Sequence, residues 1–464
     1  MRVPRIMLAA PASGSGKTLI TCGILQALVN RGFRTASFKC GPDYIDPMFH
    51  SRVIGVKSGN LDTFFTDRSA TRYLFGRRAA EAEISVVEGV MGYYDGLGGI
   101  SEEASSYDVA SALNIPVVLV VNCRGMSISV VPLIKGFLEY QNPSQIRGVI
   151  LNQMPKALYP DMKAQIERWL PVKVLGYVPK VEDLVLESRH LGLVLPGEIE
   201  SLKEKLNRLA EVLEESIDLD AFLAMAWEAP DFTYETPEIP KLSGTKKVRI
   251  GVAEDDAFCF TYRDNFQLLR DMGAELVPFS PIRDAALPEG IQGLILSGGY
   301  PELHAKALSE NKAMRSAIHD AVKAGLPCIA ECGGFLYLHR TLEGSDGVEY
   351  PMADVIGAKA YRTDKLSRFG YIEMEAKQDQ LILAEGEKAR GHEFHYWESE
   401  DCGDSIHAKK PLRKRNWDCV HGTESLYAGF PHLFFYSNPD MAIRFLRKCS
   451  NCSIQHRALA AEGV

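Results

Sequence analysis

The feature that most constrains the fold of this chain is a glycine-rich loop between an apolar segment and a helical one. Residues 5–9 (RIMLA) have the pattern of a β-strand, residues 9–18 (AAPASGSGKT) form the loop, and residues 17–31 have the pattern of a helix. Backbone N–H groups of such a loop can surround phosphate oxygens at the helix N-terminus. The sequence therefore predicts a phosphate-binding strand–loop–helix unit within a mostly parallel sheet.

Each residue type in the loop suits a different part of a nucleotide. Lys17 would reach the β- and γ-phosphates, and the Thr18 hydroxyl would hold a Mg²⁺ ion. The usual pattern begins with a glycine where this chain has Pro11, a change that a deviant class of phosphate loops tolerates. The alternative is a glycine turn with a chance Lys-Thr pair, which the flanking strand and helix make less favourable. The remaining predicted ATP-binding residues of the loop are Gly14, Ser15 and Gly16.

Apolar and amphipathic segments alternate along most of the chain, which predicts an α/β protein with two domains. Residues 228–247 (EAPDFTYETPEIPKLSGTKK) interrupt this alternation with three prolines and no period, as expected of a linker. The segment from about residue 346 onward is expected to be rich in β-structure. We predict a first domain over 1–225, a linker over 226–246, a second domain over 247–445 and a C-terminal tail over 446–464. Further strands are predicted at 35–39, 84–88, 117–121, 148–152, 173–178, 248–253, 275–279, 293–297 and 328–331, and helices at 127–140 and 200–215.

Composition excludes several classes of protein. There are 52 Lys and Arg against 60 Asp and Glu, a net charge of −8, whereas a general nucleic-acid binder needs a basic face. No apolar run approaches the roughly 20 residues of a membrane span. Ten irregularly spaced cysteines do not form a disulfide pattern, so a reducing cytoplasm is expected. The lone Cys449-Ser-Asn-Cys452 motif is weak evidence for a metal and is expected to lie in a frayed tail.

Four acidic residues follow predicted strands beside the phosphate loop. Asp43 and Asp46 belong to KCGPDYID, while Glu88 and Asp95 belong to EGVMGYYDG. The carboxyl ends of parallel strands meet at one ligand-binding edge, so these acids are expected to converge near the phosphates. Taken singly, each acid is more often a solvated loop residue or a helix cap.

A second motif, LPCIAECGGFLYL (326–338), predicts a cysteine nucleophile. An apolar strand turns sharply at Cys332 into a helix, which lifts the thiol above the sheet and directs a helix N-terminus at it. Gly333 would provide an oxyanion N–H donor, with Gly299 in SGGYPE as a second source. A buried structural cysteine is the alternative, and it fits Cys328 better.

The general base for this thiol has two candidate positions. One is His432 in GFPHLFF, and the other is His392 or His395 in RGHEFHYW. Many enzymes of this kind carry an acid two residues after the histidine, where this chain has Phe434. His432 is therefore expected to work as half of a dyad.

With these motifs the chain resembles the cobyrinate a,c-diamide synthase family, glutamine-dependent amidotransferases of cobalamin biosynthesis. The resemblance covers essentially the whole chain through APASGSGKT, KCGPDYIDP, EGVMGYYDG, ESRHLGLVLP, SGGYPE, ECGGFLYL and PHLFF, in the family's order. It implies an ATP-binding domain of the dethiobiotin-synthetase type followed by a class I glutaminase domain. The implied substrates are cobyrinate, ATP and L-glutamine, with Mg²⁺ accompanying ATP, and a homodimer is left open.

The resemblance also implies roles at individual residues. Cys332 would be the glutaminase nucleophile and His432 its base. Asp43 and Glu88 would contact the metal together with Thr18, and Asn152 would contact adenine. The implied substrate-side residues are Tyr44, Asp46 and Asp95.

Three other functions compete with this one. The same amidation could act on hydrogenobyrinate or nickel-sirohydrochlorin, which sequence patterns do not separate from cobyrinate. Cobyric acid synthases amidate other side chains, and KCGPDYIDP and ESRHLGL favour the diamide enzyme. A partitioning-type regulatory ATPase has a similar loop but leaves Cys332 and His432 without a purpose.

Overall fold

A computed structural model describes residues 2–180, 196–243, 247–366 and 368–452. The chain divides into two compact units, Met1–Pro237 and Glu238–Val464, and the division falls inside the segment predicted to be a linker. Residues 187–195 of the ESRHLGLVLP motif lie outside the described residues.

The first unit is built on a parallel sheet, as the sequence predicted. Its described strands pair in the order β3-β2-β4-β1-β5-β6-β7, and every pairing is parallel. The carboxyl ends of the strands therefore share one edge. The strands are β1 (Arg5–Ala9), β2 (Thr35–Cys40), β3 (Lys57–Leu61), β4 (Ile84–Glu88), β5 (Val117–Asn122), β6 (Ile146–Asn152) and β7 (Lys173–Val178).

Helices pack beside this sheet, and the first and seventh of them approach each other closely at a glycine. The first helix carries Gly23 where Leu209 and Leu213 of the seventh helix pack, and a Cβ at Gly23 would lie only 2.5 Å from Leu213 Cδ1. The charged helix predicted at 200–215 thus contributes a buried leucine face to the core. The helices are α1 (Lys17–Asn30), α2 (Ile45–Phe49), α3 (Arg68–Ala79), α4 (Ser106–Leu113), α5 (Val130–Glu139), α6 (Tyr159–Trp169), α7 (Pro196–Ser216) and α8 (Leu219–Trp227).

The second unit combines a mainly parallel sheet with two smaller sheets. The larger sheet has the order β20-β21-β11-β10-β8-β9, with β20 antiparallel, and the others have the orders β13-β12-β14-β17 and β19-β18-β15-β16-β22. The region after residue 346 is rich in β-structure, as predicted. The strands are β8 (Val248–Ala253), β9 (Ala274–Phe279), β10 (Gly293–Leu296), β11 (Cys328–Glu331), β12 (His339–Glu343), β13 (Glu349–Pro351), β14 (Ile356–Arg362), β15 (Arg368–Ala376), β16 (Lys388–His395), β17 (Trp397–Ser399), β18 (Ile406–Lys409), β19 (Asn416–Cys419), β20 (His421–Gly422), β21 (Leu426–Gly429) and β22 (His432–Leu433).

The last helix of this unit corrects one expectation. The tail predicted from residue 446 is wrong for its first five residues, because helix α13 (Pro439–Ser450) continues through them. Cys449 is fully buried against Gly293. It therefore belongs to the buried face of helix α13 and not to a frayed end. The other helices are α9 (Arg263–Asp271), α10 (Ala305–Glu310), α11 (Lys312–Lys323) and α12 (Gly333–Tyr337).

Candidate active sites

The predicted phosphate loop connects β1 to α1 at the carboxyl edge of the first sheet. Gly14 and Gly16 have φ values of +75° and +90°, a conformation that glycine adopts without strain. The Ser15 hydroxyl donates to the Ala12 carbonyl at 2.8 Å, and the Asn152 side-chain amide donates to the Ser15 carbonyl at 2.9 Å. The loop is therefore held in a fixed shape from both sides.

Lys17 is buried beneath this loop. Its ammonium group donates a hydrogen bond to the Met91 carbonyl, on the segment that follows β4. Burial, followed by the charge of Lys39, lowers the pKa of Lys17 to about 8. A bound phosphate would raise the pKa of Lys17 again, because its negative charge favours the charged ammonium group.

The side chains of Thr18 and Glu88, two of the predicted metal-site residues, contact each other. The Thr18 hydroxyl donates to Glu88 Oε1 at 2.6 Å, and the Lys39 ammonium group lies 2.7 Å from the same oxygen. Lys39 also pairs with Asp46 of helix α2 at 2.6 Å, so it bridges the carboxylates of Asp46 and Glu88. Burial raises the pKa of Glu88 to about 7, although Lys39 opposes this shift.

The oxygen atoms of Thr18 and Glu88 fit a hard divalent cation. Mg²⁺ usually takes one or two protein oxygens and fills its remaining positions with water and substrate phosphates. Among the described residues, no three His, Cys, Asp or Glu side chains are grouped as a metal site. Asp43 makes different contacts, since its carboxylate accepts the backbone N–H groups of Ile45 and Asp46 at 2.8 and 3.3 Å.

The predicted substrate-side residues divide into buried and exposed ones. Tyr44 and Asp46 are buried, and Asp46 is engaged by Lys39. Asp95 is exposed, and its carboxylate accepts the Gly92 N–H at 2.8 Å, which fixes the loop after β4.

The second unit contains the predicted strand-to-helix turn at Cys332. This residue has φ +47° and ψ −98°, an unusual conformation for a residue with a side chain, between β11 and α12. Its N–H donates to the Gly429 carbonyl at 2.8 Å, and the residue is 6% exposed. A Cβ added to Gly333 would lie 2.9 Å from the Gly299 nitrogen, so the two predicted oxyanion donors are neighbours.

His432 is the predicted base that contacts this thiol. It is buried and forms a hydrogen bond with Cys332, and its Nδ1 lies 3.6 Å from a carboxylate oxygen of Glu331. Burial alone lowers the pKa of His432, but Cys332 and Glu331 outweigh it and raise the pKa to about 10. Both neighbours therefore favour the protonated form of the His432 imidazole.

The two alternative histidines occupy different surroundings. His395 Nδ1 lies 2.6 Å from the Trp397 carbonyl, and its ring stacks on Phe430 with centroids 3.7 Å apart. His392 is buried with its ring centroid 6.1 Å from that of His432, and burial lowers its pKa well below the usual value. Both are better described as core histidines.

Lys39 and Glu331 were not predicted as site residues. Lys39 opens the KCGPDYID motif, and Glu331 directly precedes the nucleophile in ECGG. The sequence shows that both residues lie near the ends of strands. It does not show that Lys39 pairs with Glu88 or Glu331 with His432, because these partners lie on strands that are distant in sequence.

Segments in both halves of the chain match known protein families. Residues 249–439 match a family described as a CobB/CobQ-like glutamine amidotransferase domain, and residues 65–188 match one described as an AAA domain. The chain is 40% identical to the cobyrinate a,c-diamide synthase of Caldanaerobacter subterraneus, covering 96% of this chain and 98% of that one. It is 39% identical to the synthase of that name from Thermoplasma volcanium, covering 97% and 98%. Over the part of the chain that is described, no helix is long and apolar enough to cross a membrane.

Proposed function

This chain belongs to the family of cobyrinate a,c-diamide synthases, and from that premise we propose that it amidates the a and c carboxylates of cobyrinate with ATP and glutamine. Two chemical obstacles explain why such a reaction needs two sites. A carboxylate is a poor electrophile, and ammonia is mostly protonated at neutral pH. The first unit addresses the first obstacle and the second unit addresses the other.

In the second unit, the Cys332 thiolate attacks the side-chain amide carbon of glutamine. The N–H groups of Gly299 and Gly333 stabilise the oxyanion of the tetrahedral intermediate. The His432 imidazolium gives its proton to the amide nitrogen, so NH₃ leaves and a thioester remains. His432 then takes a proton from water, which attacks the thioester and releases glutamate and the thiolate.

In the first unit, the substrate carboxylate attacks the γ-phosphorus of ATP, giving an acyl phosphate and ADP. Lys17 and the backbone N–H groups of residues 14–16 bind the phosphates and neutralise their charge. A Mg²⁺ ion held by Thr18 and Glu88 would add further charge neutralisation when bound. Ammonia then attacks the acyl carbon and phosphate leaves, which produces the amide; two turnovers amidate both carboxylates.

Roles for the remaining residues belong to the same proposal. Tyr44, Asp46 and Asp95 would face the corrinoid. Asp43, on the segment between β2 and α2, would assist at the metal. Asn152 is proposed to contact adenine in addition to supporting Ser15. The ten cysteines are all free of disulfides, which supports a reducing, cytoplasmic location.

The observation that carries this proposal is the hydrogen-bonded Cys332–His432 pair at a strained strand-to-helix turn. Replacing Cys332 with Ser is expected to abolish synthesis with glutamine and to leave synthesis with added ammonium chloride. Replacing Lys17 with Ala is expected to abolish synthesis with either nitrogen source. Loss of both activities in Cys332→Ser, or ammonium-dependent synthesis in Lys17→Ala, would contradict the division of labour.

The identity of the macrocycle is tested separately. Purified protein would be incubated with ATP, glutamine and one of cobyrinate, hydrogenobyrinate or nickel-sirohydrochlorin, and the products would be separated by mass. We expect a diamide from cobyrinate. A faster reaction with another macrocycle would keep the mechanism and change the substrate.

A further inference from the structure

The position where a third member of the glutaminase triad is expected holds no acid. Two residues after His432 stands Phe434, which is 1% exposed and packs edge-on against Tyr262 with ring centroids 5.2 Å apart. That side chain is part of the apolar core and offers the imidazole no charge. An acidic partner for the second nitrogen of the histidine would therefore come from another element.

A carboxylate reaches the histidine from a different strand. Glu331 is the last residue of β11 and pairs in register with Gly429 at the end of β21, three residues before His432. Its Oε2 lies 3.6 Å from His432 Nδ1, and the two side chains are 12% and 2% exposed. At this distance and burial, opposite charges attract strongly because little water screens them.

The other groups around the imidazole do not offer a negative charge on that side. The Cys332 thiol is bound to the histidine and occupies the reacting side. His392 and His395 also face it, and burial lowers the pKa of both, so they stay neutral. Glu331 is the carboxylate that forms an ion pair with His432 among the described residues.

We infer that Glu331 is the positioning residue of the glutaminase, holding His432 Nδ1–H towards its carboxylate and stabilising the imidazolium. The inference rests on the proposed function, because it presupposes that Cys332 attacks glutamine. The Glu331 carboxylate then balances the positive charge of the protonated imidazole from the Nδ1 side. The nucleophile and the residue that orients its base are thus consecutive in sequence.

The test is Glu331→Gln, which keeps the size of the side chain and removes its charge. Glutaminase kcat is expected to fall about 10²-fold, with KM for glutamine within about threefold, because the neutral side chain at position 331 no longer orients the His432 imidazolium or balances its charge but does not touch the bound glutamine. Ammonium-dependent synthesis should stay at the unmodified level. Glu385→Gln, on an exposed loop of the same unit, is the matched control and should change neither activity.

A second measurement reports the charge directly. The rate at which iodoacetamide alkylates Cys332, followed by mass spectrometry of its peptide, rises with pH as the thiolate forms. In Glu331→Gln the midpoint of the alkylation rate should move upward by about one pH unit. Without the carboxylate, His432 is protonated less readily and therefore stabilises the thiolate less. A residue needed only for packing would not move that midpoint while leaving the fold intact.

The outcomes separate the inference from the proposed function. Glutaminase kcat within twofold of the unmodified value and an unchanged alkylation midpoint would overturn the role of Glu331. If Glu331→Gln does not fold, the neutral Glu331→Ser replaces it, and unchanged kcat and midpoint in Glu331→Ser would overturn the role. Lowered kcat in Glu331→Ser together with a retained kcat in Glu331→Asp, which keeps the charge, would support it. If Cys332→Ser still uses glutamine, the proposed function itself fails, whatever the Glu331 variants do.

Discussion

The position of the His432 ring can be tested by adding one methyl group beside it. A Cβ built on Gly298 lies 2.6 Å from His432 Cε1 and 3.3 Å from both Nδ1 and the Cβ of Phe260. Carbon atoms pack at about 3.5 Å or more, so Gly298→Ala forces the ring to retreat by about 0.9 Å. The backbone at residue 298 cannot easily yield instead, because the Gly298 carbonyl accepts the Phe260 N–H at 3.0 Å. A misplacement of about 1 Å can lower the rate of a catalytic step about 10²-fold.

The assay measures glutamine hydrolysis and ammonium-dependent synthesis on the same Gly298→Ala preparation. We expect glutaminase kcat to fall about 10²-fold while synthesis with ammonium chloride is retained. Gly357→Ala is the matched control, because a Cβ there meets no atom within 4 Å. Glutaminase within twofold of the unmodified enzyme would refute the claim that this contact sets the position of the base.

Two further substitutions test the first unit. Lys39→Met leaves the carboxylate of Glu88 buried without its cation. It should lower the free energy of unfolding by about 3–5 kcal/mol, measured by urea titration with hydrogen exchange of this unit as the readout. Adding Glu88→Gln should recover part of the loss, and an unchanged free energy of unfolding in Lys39→Met would contradict the pairing. Gly16→Ala places a Cβ 2.3 Å from the Asn152 amide nitrogen at a φ of +90°, so ATP affinity by calorimetry should fall at least about 10-fold, a shift of about 1.4 kcal/mol. Gly32→Ala has a similar φ of +84° and open space, and an equal effect in that control would show that backbone strain alone is responsible.

The parts of the fold that follow from a short segment could be predicted from the sequence. Strand β4 (Ile84–Glu88) is an apolar run with an acid at its end, and it was predicted with the bounds it has. The loop before Lys17 needs its glycines for their positive φ values, so sequence and geometry agree there. Strand β3 (Lys57–Leu61, KSGNL) was not predicted, because a polar segment at the edge of a sheet carries no apolar period.

The parts of the sites that were not predictable depend on which strands are neighbours. Lys39 pairs with Glu88 because β2 lies beside β4 in register, Lys39 opposite Glu88. Glu331 reaches His432 because β11 lies beside β21, whose following residues turn back towards Cys332. Sheet order joins residues 49 and 101 positions apart, and no local pattern encodes such a pairing.

The two units manage buried charge in different ways, and this decides which experiments can separate their reactions. In the first unit, Lys39 joins Glu88 and Asp46 in one buried cluster, so removing Lys39 leaves two carboxylates without their cation and affects stability and activity together. In the second unit, the charges form a short chain from Glu331 through His432 to Cys332, held at a turn whose shape is set by the backbone. A neutral replacement of Glu331 or of Cys332, the two ends of that chain, leaves His432 with one of its two partners. Variants of the second unit are therefore the ones that separate glutamine hydrolysis from synthesis.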